Sequence, residues 1–300
     1  MILPRHKRFV LWGLTEGHDS FRHIHRHYYH TLERLEKEVA WFEDSEESRE
    51  ALEPGDLVFA VDVASVFLGR PVEGVDYLLH NFGPSADIWD GLPEERILRI
   101  QTYTNACERY GVEWQPGRRY DRAGRILFQP WGTDLLAEDF HPPVFNPHST
   151  EIPFVGSIWD SDGQGNLAAI TELKRVVSDR RLVFRAYAHI SDEKNVQVVR
   201  SGRLAPAITG IWQIEQDYLP CRVFKNVSYG ALALTQVPKF REIFGDAFTS
   251  WGSVGQIITD ALALSEDEYL EIVRAQQEVV RHYTYRESLL AIERAFEEGR

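Results

Sequence analysis

Short apolar runs alternate with stretches of helical periodicity along most of the chain, and this alternation restricts the fold more than any other feature. Phe9–Leu14, Val39–Phe42, Leu57–Val61, Tyr77–Phe82 and Ile126–Pro130 read as buried strands in the first half. After the first of them, apolar residues recur at Ile24, Tyr28, Leu32, Leu35 and Val39, close to the repeat of a helix. Pro54-Gly55-Asp56 marks a turn ahead of the third run. Strand, helix, strand, repeated, predicts a mainly parallel sheet covered on both faces. His141-Pro142-Pro143, Asn146-Pro147 and Pro153 then punctuate a stretch that reads as a stiff linker, Trp131–Pro153. A second alternating series follows, with strands expected at Phe154–Ile158, Leu182–Tyr187, Ala207–Ile211 and Ala231–Thr235. From Ser265 the tail reads as one long helix, opened by a Ser265/Glu268 capping box, with Val273, Val280, Tyr283 and Leu290 as its inner stripe. The predicted class is α/β, in two domains spanning 1–145 and 146–300. Such a pair is expected to hold its ligand in the crevice between the domains, near the carboxyl ends of the strands.

Composition narrows the function. A chain of 300 residues with 43% hydrophobic content can build two real cores. A formal charge of −13 disfavours nucleic acid as the main partner, yet allows a local basic pocket for one small anion. The basic start, Met1–Arg8, is not followed by an apolar signal segment, and no run is long and apolar enough to span a bilayer. Peripheral contact with a membrane stays open. Cys107 and Cys221 cannot make a disulfide scaffold, which suits a reduced, cytoplasmic compartment. Hydrolase chemistry has no support, because no Gly-x-Ser-x-Gly elbow occurs.

The strongest local cluster runs from Pro220 to Gly230 and continues into Ala231–Thr235. It reads as a helix ended by Gly230 and followed by a strand. Arg222 and Lys225 lie three apart, so both cations can meet one diphosphate near the helix N-terminus; a solvated helix face is the alternative. A second anion candidate is the loop Gly156–Asn166, whose small residues let backbone N–H groups approach closely. Gly156 and Ser157 are its better members, since Asp160 and Asp162 would repel phosphate; an ordinary turn is the alternative.

These segments resemble GT-B glycosyltransferases of the group 1 type. The run Arg222–Thr235, followed by Phe240-Arg241-Glu242-Ile243-Phe244-Gly245-Asp246, is similar to their donor-site segment. Gln129–Asp134, ending near Phe140 and Pro142, is similar to the passage entering their interdomain linker. Pro153-Phe154-Val155-Gly156-Ser157 resembles the first strand and loop of their nucleotide-binding domain. The order of these segments matches over roughly residues 126–264, while the first 125 match only in pattern.

The resemblance implies two Rossmann-like domains in GT-B architecture, acceptor side first and donor side second, with a last helix that crosses back. It implies a transferase of glycan biosynthesis moving a sugar from a nucleotide-diphosphate donor to the hydroxyl of a carbohydrate or glycoconjugate. No cofactor and no essential metal are expected, the nucleotide-sugar being a co-substrate. Arg222, Lys225, Asn226, Ser228, Tyr229, Gly156 and Ser157 would bind the donor. Trp212 and Gln213, after the strand where a donor base lies, would stack on and hydrogen-bond it, core packing being the other role open to Trp212. His189 is a further candidate.

In the loop Leu14–Ser20, Asp19, His18 or Glu16 would supply the base for an inverting transfer, while Asp19 also suits a helix N-cap. A retaining branch carries two glutamates where this chain has Asp217 and Lys225, which leaves inverting and retaining outcomes both open. His23 and His27, four apart, could ligate a metal, but no Glu completes a zinc motif. A sugar-nucleotide epimerase and a non-catalytic two-domain sugar-binding protein are the alternatives.

Overall fold

The computed structural model describes residues 5–13, 15, 20–60, 72–80, 94–112, 119–247 and 252–298. The chain divides into two compact units, Met1–Asp134 with Tyr285–Arg300, and Leu135–Thr284. The first unit contains β1 (Arg8–Trp12), α1 (Ser20–Arg34), β2 (Glu38–Phe42), α2 (Glu46–Glu50), β3 (Asp56–Ala60), β4 (Asp76–His80), β5 (Ile97–Gln101), α3 (Ala106–Arg109), β6 (Arg119–Asp121) and β7 (Ile126–Phe128). The second contains β8 (Glu151–Val155), α4 (Leu167–Asp179), β9 (Val183–Tyr187), α5 (Asp192–Ser201), α6 (Ile211–Glu215), α7 (Cys221–Ser228), α8 (Phe240–Phe244), α9 (Val254–Ala263) and α10 (Glu266–Val280). Helix α11 (Tyr285–Glu298) belongs to the first unit.

The first unit is built on a seven-stranded sheet in the order β2-β1-β3-β4-β5-β7-β6, parallel except for β6. β3 and β4 are buried along their whole length, as a parallel strand with both faces covered must be. Val10, Trp12, Val58, Tyr77 and Leu79 make one core, while Phe59 meets Tyr28 of α1, which in turn lies against Tyr285 of α11. The apolar runs therefore became strands where expected, and the first four begin one residue earlier, at Arg8, Glu38, Asp56 and Asp76. Three of those starts are ion-paired: Arg8 on β1 stands in register with Asp56 on β3 and bonds it at 2.6 Å, and Asp76 on β4 bonds Arg5. Two strands were not foreseen. Arg99 interrupts the apolar pattern of β5, where it reaches Glu94, and β6 is a short polar strand hydrogen-bonded antiparallel to β7.

Three expectations for the second unit are corrected. The proline-punctuated stretch, expected as a stiff linker, is instead bonded along the second unit, and Pro153 lies inside β8. His141 N–H donates to Ser228 O, Val144 N–H to Gly230 O, and Asn146 Nδ2 to the carbonyls of Arg200 and Gly202. Gly230 has φ +92°, and a Cβ there would lie 2.4 Å from Pro142 O, so glycine is needed for this close approach as well as for the turn. Ala207–Gly210 and Ala231–Thr235 are buried but form no strand ladder: one backbone bond, from Ala207 N–H to Leu234 O, joins them, and side chains take other amides. Leu232 N–H donates to Tyr269 Oη and Ala233 N–H to Gln276 Oε1, both on α10, and Thr209 N–H donates to Gln236 Oε1. Ile211 opens α6 instead. Among the described residues this unit has one two-stranded parallel sheet, β8-β9, with α4, α9 and α10 packed on Ile152 and Phe154.

The expected single terminal helix is two helices. α10 starts with the capping box read from Ser265 and Glu268, ends at Val280, and is followed by α11. Leu290 is only partly buried, and Leu289 takes the inner position.

α11 is fastened to the sheet by a buried charge cluster. His6 Nδ1 contacts Glu293 of α11 at 2.5 Å and its Nε2 contacts Asp76 at the start of β4 at 3.0 Å. Arg5 and Arg96 also bond Asp76, at 2.6 and 3.0 Å. Burial disfavours the Asp76 charge, but His6, Arg5 and Arg96 outweigh it and hold its carboxyl far below the usual range. Burial likewise pushes His6 down, and the two carboxylates overcome it, leaving its pKa raised above 6.5. The cluster therefore stabilises the fold fully below the ordinary histidine pKa and loses that contribution as pH rises through the raised value. His6→Gln should cost about 2 kcal/mol at acidic pH, in the range for hydrogen bonds to charged groups. Urea denaturation across pH 5.5 to 8.5, roughly the histidine window, should show the deficit shrinking as pH rises; a deficit constant with pH would contradict the assignment.

Candidate functional site

The carboxyl ends of β8 and β9, in register at Val155 and Tyr187, gather the groups of chemical interest in the second unit. Arg222, in the first turn of α7, donates from Nη1 to Val155 O and from Nη2 to Ile208 O, both at 3.0 Å. Its guanidinium lies 4.9 Å from the centre of the Phe154 ring. Among the described residues no carboxylate pairs with it. Burial pushes its pKa down, yet a guanidinium stays charged at neutral pH. The result is a partly buried cation held by two carbonyl dipoles, with N–H donors left over.

Gly156 follows β8 with φ +145°, and a Cβ on it would lie 2.5 Å from Arg222 Nη1. The missing side chain makes room for the guanidinium. The Gly156 N–H is donated to Tyr187 O at 2.8 Å, so it does not point at a ligand as the sequence reading supposed. Ser157 is exposed; its carbonyl accepts from Asn166 Nδ2, and nothing among the described residues takes its N–H or hydroxyl.

Asn166 shapes the rest of the loop. Its Oδ1 accepts from Trp159 N–H, its own N–H reaches Trp159 O, and the side chain is buried. Gly165 and Gln164 then offer their carbonyls to the amides of Ile211 and Trp212 at the start of α6. Gln213 caps that helix, accepting from Gly210 N–H at 3.0 Å. Leu167, Ile211 and Trp212 are 44, 43 and 41% exposed, so three of the four exposed large apolar side chains among the described residues flank this one loop. His189, exposed and at φ 54°, follows β9 at the same edge.

Thr209 is the residue that sequence reasoning missed. It is 1% exposed, adjoins the Ile208 carbonyl that holds Arg222, and its Oγ1 has no hydrogen-bond partner. Nothing in an apolar Ala-Ile-Thr-Gly-Ile run signals this, since threonine there reads as an ordinary buried residue.

Comparison with known proteins gives no family: no family model matches the sequence and no curated protein is similar to it. Solved structures do match. The N-terminal domain of trehalose-6-phosphate phosphatase from Candida albicans superposes with TM-score 0.51 at 11% identity, over 98% of this chain and 97% of that one. An alpha,alpha-trehalose-phosphate synthase (UDP-forming) from Burkholderia vietnamiensis gives 0.52 at 12%, over 96 and 99%. The likeness is one of fold. Both neighbours are GT-B-type folds, and each superposition covers nearly the whole of this chain.

Among the other residues singled out, Asn226 donates from Nδ2 to Ala205 O at 2.7 Å, Ser228 donates to Lys225 O, and Tyr229 is packed with Val199, Ala205 and Ala231. Lys225 is buried at 2% exposure within α7, deeper than Arg222. Asp19, His18 and Glu16 lie outside the described residues. His23 and His27 face each other Nε2 to Nε2 at 2.9 Å on α1, with His27 stacked on Tyr285.

A buried hydroxyl without a partner carries its full desolvation cost. Thr209→Val keeps the shape and removes that cost, so it should raise stability by about 1 kcal/mol in thermal or urea denaturation. A loss of similar size would mean that the hydroxyl is bonded after all.

Proposed function

We propose that the protein is a glycosyltransferase that transfers a sugar from a nucleotide-diphosphate donor to a hydroxyl of a carbohydrate or glycoconjugate acceptor. The observation that carries this reading is Arg222: a guanidinium without a carboxylate partner among the described residues, fixed by Val155 O and Ile208 O beside Gly156 at a strand's carboxyl end. In an open α/β sheet that end is where ligands sit. The GT-B-type fold is consistent with the same chemistry.

In the proposed reaction the bond between the anomeric carbon and the diphosphate oxygen breaks while the acceptor oxygen bonds to that carbon. The leaving diphosphate gathers negative charge, and Arg222, already oriented, stabilises it without reorganisation. The exposed Ser157 hydroxyl and N–H, without a partner among the described residues, can bind donor oxygens. Trp212 and Ile211 offer apolar surface for the base or sugar. Asp19, His18 or Glu16 is assigned to accept the proton of the acceptor hydroxyl. The diphosphate leaving group needs no metal in this scheme.

A thermal-shift screen with UDP, GDP, CDP, ADP and dTDP tests the donor half. A cognate nucleotide at about 100 times its Kd should add roughly 2.7 kcal/mol. Arg222→Gln should weaken that binding by about ten- to a hundredfold, the value of a hydrogen bond to a charged group. Product analysis then separates transfer from epimerisation, since an epimerase converts the nucleotide-sugar with no acceptor present. Unchanged nucleotide affinity in Arg222→Gln would remove the donor site from this edge.

A further inference from the structure

The opposite end of the second unit's sheet carries another, unassigned concentration of positive charge. An open pocket of about 430 Å³ lies where the chain enters β8 and β9, among Arg180, Arg203, His148, Thr150, Leu182 and Leu262. Thr150 immediately precedes β8 and Leu182 immediately precedes β9, whereas Arg222 binds the last residue of β8. The two places are thus separated by the length of a five-residue strand, about 16 Å at 3.3 Å per residue.

Both arginines lack a carboxylate partner among the described residues. Arg180 stands at the end of α4, donating from Nη1 to Val176 O at 3.0 Å and from Nη2 to Thr259 Oγ1 at 2.5 Å. Arg203 packs over the Phe145 ring at 5.6 Å and reaches Asn146 O at 3.4 Å. The carboxylates nearest in sequence are engaged elsewhere: Asp179 with Arg175, and Glu151 with Arg185 and Tyr187. In a chain of charge −13, two arginines lining one pocket with no acid among its lining residues is a departure from the surrounding charge balance. Each guanidinium has five N–H donors in a planar fork, and carbonyl or hydroxyl oxygens occupy at most two of them here. Leu182 and Leu262 add an apolar wall, and the volume falls in the range of small-molecule sites.

We infer that this pocket binds the phosphate group of a small phosphomonoester, with Arg180 and Arg203 meeting the dianion and Leu182 and Leu262 supporting the body of the molecule. The site is separate from Arg222 and does not depend on the transfer reading. Inorganic phosphate is the probe, titrated against chloride at constant ionic strength by calorimetry and by thermal shift. The wild type and Arg222→Gln should bind phosphate at this pocket alike. Arg180→Gln should weaken it at least tenfold. Thr150→Glu, which leaves both arginines in place and adds a carboxylate before them, should abolish it while leaving the melting temperature unchanged or raised. Sparing of the site in Arg222→Gln separates this outcome from failure of the donor assignment. Phosphate binding that survives both Arg180→Gln and Thr150→Glu, or no binding by the wild type, would overturn the proposal.

Discussion

A parallel sheet buried on both faces needs cover on both, and in the first unit that cover cannot come from sequence neighbours alone. β3 and β4 expose nothing, so every side chain on them requires a packing partner. α1 supplies part of that cover, and α11, from the far end of the chain, supplies more through Tyr285 and Phe296. The His6–Asp76–Glu293 cluster fixes where α11 sits. Removing one member would leave a buried charge unpaired, which costs more than the intact cluster contributes. The terminal helix is therefore a structural component of the first unit, however distant it is in sequence.

The second unit solves a different problem. Its β8-β9 sheet is small, and the segments beside it have no ladder to satisfy their amides. Tyr269, Gln276 and Gln236 do so with side chains. Side-chain pairing permits a geometry that a regular strand would not: Ile208 O turns to Arg222, and Thr209 lies beside it with an unmatched hydroxyl. The same irregularity that made pattern reading take these segments for strands produces the candidate anion site at one end of β8. At the other end, Arg180 closes α4 and Arg203, just after α5, donates its N–H to Glu151 O at the start of β8, so that both line one pocket.

Much of the fold was legible because burial writes itself into sequence. Five apolar runs in the first half became strands, the Ser265 capping box opened α10, and Gly230 ended α7 as its position implied. β5 was hidden because Arg99 breaks the run, and β6 because an edge strand needs no apolar face. At the candidate site, Gly156 and Arg222 were both read as anion contacts; the structure brings them together, with Gly156 acting through its missing side chain and not through its N–H. Thr209 and Asn166 left no trace, since their roles arise from hydrogen bonds with residues that local spacing does not indicate.

The sequence by itself determined the α/β class, the order of most strands and helices, and the acidic balance against which a lone arginine stands out. These follow from hydrophobic periodicity and charge, which act over a few residues and need no knowledge of distant partners. Tertiary structure alone decided that the proline-rich stretch is bonded along the second unit, that the tail splits into α10 and α11, and that Arg222, Arg180 and Arg203 stand without carboxylate partners among the described residues. Those outcomes depend on which buried groups find a partner across long sequence separations. That pairing is a property of the folded chain and not of any local stretch of it.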